Sequence, residues 1–282
     1  MPTRILSLVQ PVSITDPDDP RVALYRDVRD RDLQSRAGMF MAEGRFVVAM
    51  VLAQSRFTPH SVLATEPALQ SIESALESIN DATPVYLASQ ELMDAITGFH
   101  IHRGCLAAVH RGDPLDAGNL IERARTPDEC LVVLEDTANH DNVGAVFRSA
   151  AAFGVGAVLL TAKSCDPLYR KAVRVSMGGV LHIPFARIDS AADAARALRA
   201  AGFTTIALTP APDAIDIADA PRPHRVALFI GAEGPGLTPA TIDACDLRVR
   251  IPSTALVDSL NLSVAAGIAM HALAPLTLRS RT

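Results

Sequence analysis

Three short stretches of this 282-residue chain place chemically useful residues just after apolar runs. The first, 142–148, joins Asn142 to Arg148 through small and apolar residues and follows the acidic pair Glu135-Asp136. Asn142 is a good N-cap, and Arg148 falls on the helix that it starts. An arginine can grip a phosphate through two parallel N–H bonds. Arginines are also mostly surface residues, and taken alone this stretch reads more readily as a capped helix with one solvated arginine. The second, 229–237, runs an apolar strand into Gly231, Glu233, Gly234, Pro235 and Gly236. Glycines there let the backbone approach a ligand closely. The spacing is not that of a dinucleotide fingerprint, and no phosphate-binding Lys-Ser/Thr pair follows. A tight loop before a helix at Thr238-Pro239 explains it equally well. The third, 251–265, ends a strand at Pro252, crosses a polar loop and enters a small-residue helix at Ser259 and Asn261. Free amides at a helix start favour polar ligands, and the same two side chains would also serve as caps.

Such residues need elements to carry them. Strand-like runs at 61–64, 85–87 and 106–109, with helical spacing between them, predict a small α/β domain. The Asp16–Pro20 breaker is followed by helical spacing over 21–36, and 46–54 predicts a second helix. Breakers at 113–114, 118–119 and 126–127 mark a linker with a short helix near 120–123. A second series begins with the strand run 130–136 and continues at 156–161, 204–208, 226–230 and 247–251. Helices are predicted at 142–153, 169–176, 191–200 and 261–272. Nearly continuous apolar strands alternating with helices mean a parallel sheet covered on both faces. The expected domains are therefore 1–111, a linker at 112–127, and 128–282.

Composition sets limits. Apolar residues are 49% of the chain and charged residues 20%, enough for a sizeable core. A net charge of -5 leans mildly against a simple nucleic-acid binder, although a local basic patch can serve. The four cysteines are far apart, so a metal cluster or redox dithiol is not expected. His100 and His102, beside Arg103, have no third ligand nearby and are read as structural or ligand-facing rather than as a metal site. The opening residues lack a signal peptide's apolar run and no stretch is long enough to span a bilayer, so a cytoplasmic location is expected.

The three stretches, in this order, resemble the SpoU family of the SPOUT superfamily, the ribose 2′-O-methyltransferases of ribosomal and transfer RNA. The resemblance runs from about Cys130 onward and includes 166–178. The N-terminal part is similar to the family's ribosomal-protein-like substrate-binding domain at 41–44 and 98–104. The family usually has Met where this chain has Ser253 and Gly where it has Ala255.

The resemblance implies an α/β fold whose C-terminal parallel sheet carries a deep trefoil knot, an exception to the rule against knotted chains. It implies S-adenosylmethionine as cofactor, held at Gly231, Ile251 and Leu260, with Thr209 as a further candidate. Arg148, Glu233, Ser259, Asn261 and Asn142 match the polar catalytic residues. A base-like role is implied for Arg148; a guanidinium stays protonated, so anchoring phosphate and orienting the hydroxyl is the alternative. The implied partners are RNA, with ribosomal RNA favoured over transfer RNA, and a second copy of the chain in a homodimer. No metal or membrane partner is implied. Arg26, Arg29, Arg31, Arg36 and Arg45 form a candidate basic face, with Asp27, Asp30 and Asp32 interleaved as a salt-bridged surface would have them. The competing readings are a transfer-RNA enzyme, methylation of a base nitrogen, and a non-catalytic RNA-binding or ribosome-assembly protein.

Overall fold

The computed structural model describes residues 10–26, 38–53, 56–79, 83–101, 104–124, 126–254, 256 and 259–275. Asp27, Arg29, Asp30, Arg31, Asp32, Arg36, His102, Arg103 and Ala255 lie outside the described residues. The chain forms two compact units. One is Met1–Asp113 with Leu168–Leu181, and the other is Pro114–Pro167 with His182–Thr282.

The first unit contains β1 (Val12–Ser13), a 3-10 helix (Pro20–Tyr25), β2 (Met39–Glu43), α1 (Arg45–Ala53), β3 (Pro59–Ala64), α2 (Glu66–Ser71), α3 (Glu73–Leu76), β4 (Val85–Leu87), α4 (Gln90–Thr97) and β5 (Cys105–His110). Its sheet has the order β1-β4-β3-β5-β2 and mixes parallel and antiparallel pairs. Tyr25, Met41, Leu63, Met93, Ile101 and Leu106 build its core. The helical spacing expected over 21–36 begins as the 3-10 turn, which Asp19 caps by accepting the Arg21 N–H; its residues 27–36 lie outside the described residues. The sequence analysis assigned no strand at β2. Its four buried residues, Met39 to Ala42, show no alternation because both sides are covered.

The second unit opens with α5 (Ala117–Arg123), β6 (Glu129–Leu134), α6 (His140–Phe153) and β7 (Ala157–Thr161). The chain then contributes Leu168–Leu181 to the first unit, with α7 (Arg170–Val175) packed on β2 and followed by α8 (Gly179–His182). There Arg170 and Arg174 each donate to the Glu43 carboxylate at 3.2 Å, and the Arg170 guanidinium lies 4.3 Å from the Phe99 ring centre. The second unit resumes with β8 (Phe185–Ile188), α9 (Ala191–Ala200), β9 (Thr204–Leu208), β10 (Ile215–Asp216), β11 (Arg225–Ile230), α10 (Pro239–Ala244), β12 (Leu247–Arg250) and α11 (Leu262–Leu273).

Seven strands in the order β10-β12-β9-β11-β6-β7-β8 form a wholly parallel sheet, the α/β architecture expected from the sequence. Every residue of β6 is buried, and all of β11 but its first. Alanines of α9 pack with Leu131, Val133, Leu159 and Phe229 in one core cluster. Leu120 and Ile121 of α5 join that cluster, so the stretch read as a linker contributes to this unit's core. Two local expectations need correction. Asn139, not Asn142, caps α6, accepting the Asp141 N–H; Asn142 lies inside the first turn and is buried. Strand β8 was not expected, since four residues after Ile183-Pro184 leave too short an apolar run. No helix among the described residues is long and apolar enough to cross a membrane.

Candidate active site

In an open parallel sheet, ligands settle beyond the carboxyl ends of the strands. Strands β12, β9, β11 and β6 are consecutive neighbours, so the chain leaving each one arrives at the same edge. Between those ends lies a cavity of about 570 Å³. Leu208, Ile230, Leu237, Val249, Ile251 and Leu260 give it apolar walls, and Thr209, Glu233, Ser253, Ser259 and Asn261 give it polar ones.

The 231–237 loop owes its shape to glycine. A Cβ on Gly231 would stand 2.1 Å from both the Gly236 carbonyl carbon and the Leu237 nitrogen. That closeness is the loop folding back on itself, with the Gly236 N–H donating to the Ala232 carbonyl at 3.0 Å. Gly236 takes a φ of 73°, in the left-handed region that glycine enters without steric cost.

Across from this loop, Asn261 is the N-cap of α11 and accepts the N–H groups of Ser263 and Val264. Its Nδ2 is thereby left to donate outward, to Asn142 Oδ1 and Glu233 Oε1, both at 3.1 Å. One side chain thus caps a helix and joins all three sequence motifs. The Asn142 Nδ2 is buried and has no partner among the described residues. The loop before α6 holds Asp136 at a φ of 53°. Thr161 Oγ1 accepts the Asp136 N–H and donates to its carboxylate, both at 2.8 Å.

Of the site residues expected from the sequence, Thr209, Gly231, Glu233, Ile251, Ser259, Leu260 and Asn261 line the one cavity, and Asn142 joins them by its hydrogen bond. Arg148 does not line it. It is exposed on α6, six residues beyond Asn142, which puts it about 9 Å further along the axis and on another face. No described residue forms an ion pair or hydrogen bond with it. Ser253 lines the cavity as well, at a position first noted only as a departure from the family pattern. Among the described residues, no group of three or more His, Cys, Asp or Glu is placed to hold a metal ion.

The residues present fit S-adenosylmethionine. Apolar side chains at Ile230, Ile251 and Leu260 suit an adenine face, backbone loops suit its polar edge, and Glu233 suits an amino acid end.

A parallel α/β unit with a backbone-walled cavity at its strand ends and an Asn–Asn–Glu cluster beside it belongs to the class of open α/β proteins that bind a ligand beyond their strand ends. Comparison with known proteins narrows it. Residues 129–271 match the family model described as the SpoU rRNA methylase family. A tRNA/rRNA methyltransferase of Mycobacterium tuberculosis is 40% identical over 92% of this chain and 90% of its own. The 23S rRNA (guanosine-2′-O-)-methyltransferase RlmB of Acinetobacter baylyi is 31% identical over 66% of this chain and 76% of its own. The AdoMet-bound rRNA methyltransferase from Sinorhizobium meliloti superposes with a TM-score of 0.76 at 25% identity, covering 92% of this chain and 95% of that one. The chain belongs to the SpoU rRNA methylase family.

Proposed function

We propose that the protein transfers the methyl group of S-adenosylmethionine to a ribose 2′-hydroxyl in structured RNA, with ribosomal RNA favoured over transfer RNA. The observation that carries this reading is the Asn142–Asn261–Glu233 hydrogen-bonded cluster on the rim of the cavity walled by the glycine loop. When bound, S-adenosylmethionine supplies an electrophilic methyl on a sulfonium sulfur. Gly231, Ile251 and Leu260 would hold it, with Thr209 at the far wall. Asn261 fixes Asn142 and Glu233 relative to each other, so that the rim presents a set geometry to a ribose. The 2′-hydroxyl is a poor nucleophile at neutral pH, so its placement and the removal of its proton both contribute to rate. Ser259 and Glu233 are the exposed polar groups at the rim able to accept that proton or orient the hydroxyl. Arg148, exposed and without an ion pair or hydrogen bond to any described residue, is available to an RNA phosphate.

Ribosomal RNA is favoured by the family description and by the A. baylyi relative, whose name specifies a guanosine ribose of 23S RNA. The first unit supports RNA engagement through half-exposed Phe99 under the Arg170 guanidinium, a stacking surface for an unpaired base. A homodimer fits the exposed apolar residues Val264 and Ile268 of α11, on the helix that begins at Asn261. The knot implied by the family resemblance fits a chain that passes from β12, beyond β9 and β11 in the sheet, to α11 packed against α6. Cys105, Cys130 and Cys245, none of them in a disulfide, fit a cytoplasmic setting.

The test is nucleoside mass spectrometry with ribose-methylation mapping of ribosomal and transfer RNA from cells with and without the protein. A 2′-O-methyl nucleoside lost from ribosomal RNA is the expected result. A methylated base lost instead, or no change in either RNA, overturns the reading.

A further inference from the structure

Glu135 was read from the sequence only as half of an acidic pair. In the structure it touches both ends of the glycine loop. It stands one residue beyond β6, and its backbone N–H donates to the Ile230 carbonyl at 2.9 Å, at the point where β11 stops and the loop begins. Its carboxylate turns to the point where the loop finishes. Oε2 accepts the Thr238 N–H at 2.8 Å, and Oε1 accepts the hydroxyls of Thr238 at 3.0 Å and Thr241 at 2.8 Å. The residue is only 7% exposed. Three donors and the start of α10 replace the water that this buried charge gave up.

We infer that Glu135 is a positioning residue for the cofactor cavity, clamping the 231–237 loop at both ends. The loop has seven residues, three of them glycine, and little apolar burial of its own beyond Leu237. Left to itself, such a segment samples many conformations, and a ligand would have to order it on binding. Anchoring both ends to one buried residue, by its backbone N–H at Ile230 and by its carboxylate at Thr238, removes that freedom beforehand. Glu135 also begins the stretch leading to Asn142, so the cofactor loop and the polar cluster depart from one fixed point.

The part of this inference that concerns S-adenosylmethionine rests on the proposed function; the loop clamp itself does not. Hydrogen–deuterium exchange of the cofactor-free protein reads the clamp directly, and calorimetry with S-adenosylmethionine reads its consequence. Glu135→Ala is expected to speed exchange within 231–237 by about tenfold and to weaken cofactor binding by a similar factor. Glu135→Gln retains an oxygen for the Thr238 N–H and an amide for the rotatable threonine hydroxyls, so it is expected to stay within about threefold of the native protein in both measurements. Thr241→Val, near-isosteric, removes one bond of three and should fall between them, which keeps the test alive if the alanine variant does not fold. Exchange that rises equally through β6 and β11, or a glutamine variant as defective as the alanine one, would overturn the clamp. Native protein that fails to bind S-adenosylmethionine while the exchange pattern holds would overturn the proposed function and leave the clamp standing.

Discussion

In the proposed reaction, Arg148 and Gly231 mark two kinds of demand on single residues. Arg148 is useful for its charge, being exposed with no described residue to neutralise it. If it anchors phosphate and orients the hydroxyl, Arg148→Lys should keep measurable turnover, while Arg148→Ala should lose about 10²-fold in kcat. Complete loss in the lysine variant with unchanged RNA affinity would assign proton removal to it instead. Gly231 is useful for what it lacks. A methyl group there collides with backbone on the other side of its own loop, at 2.1 Å. Gly231→Ala should therefore abolish the calorimetric heat of S-adenosylmethionine binding while circular dichroism shows the sheet intact. The glycine loop is legible in the sequence, because a strand running into glycines leaves a one-dimensional mark; Arg148 taken alone reads as a solvated helix arginine and becomes a candidate only through the family resemblance. Glu135 leaves none. The threonines that bond its carboxylate lie 103 and 106 residues further along the chain.

Among the elements, α11 ties local stability to the site. Its cap and its bridge to the rim use different atoms of Asn261: Oδ1 accepts the helix amides and Nδ2 donates to Asn142 and Glu233. The two jobs separate on substitution. Asn261→Ala should cost about 1 kcal/mol of stability through the lost cap, read as a lower Tm. Asn261→Asp keeps a capping oxygen but loses the outward donor and sets a second carboxylate beside Glu233. Its Tm should stay close to the native value while kcat falls by about tenfold or more. Element reading from sequence worked where apolar runs were long, as at β6, β9 and β11. It failed at β8, which has only four residues, and at β2, whose buried run shows no alternation. It also misplaced the start of α6, because Asn139, Asp141 and Asn142 are all capping types and spacing alone does not choose among neighbours.

For the whole molecule, the exposed Val264 and Ile268 set the next expectation. Light scattering at micromolar concentration should find a dimer, and Val264→Glu should convert it to a monomer; a monomeric native protein would remove the dimer from the account. No periodicity in the chain announces a knot or a subunit contact, since both depend on the order in which finished elements meet. The excursion of Leu168–Leu181 has a consequence for heredity. The two compact units are connected by three passages of the chain, at 113–114, 167–168 and 181–182, rather than by one tether. A gene cut at 113–114 would give two flawed halves: one missing α7 from the surface of β2, the other trailing Leu168, Val173 and Val180, all buried in the whole protein, into water; a cut at 167–168 or 181–182 would instead divide the second unit between the halves. Shuffling of exons or gene fragments cannot exchange the first unit for another as a bead is exchanged on a string. The two units are constrained to be inherited, and to diverge, as a pair.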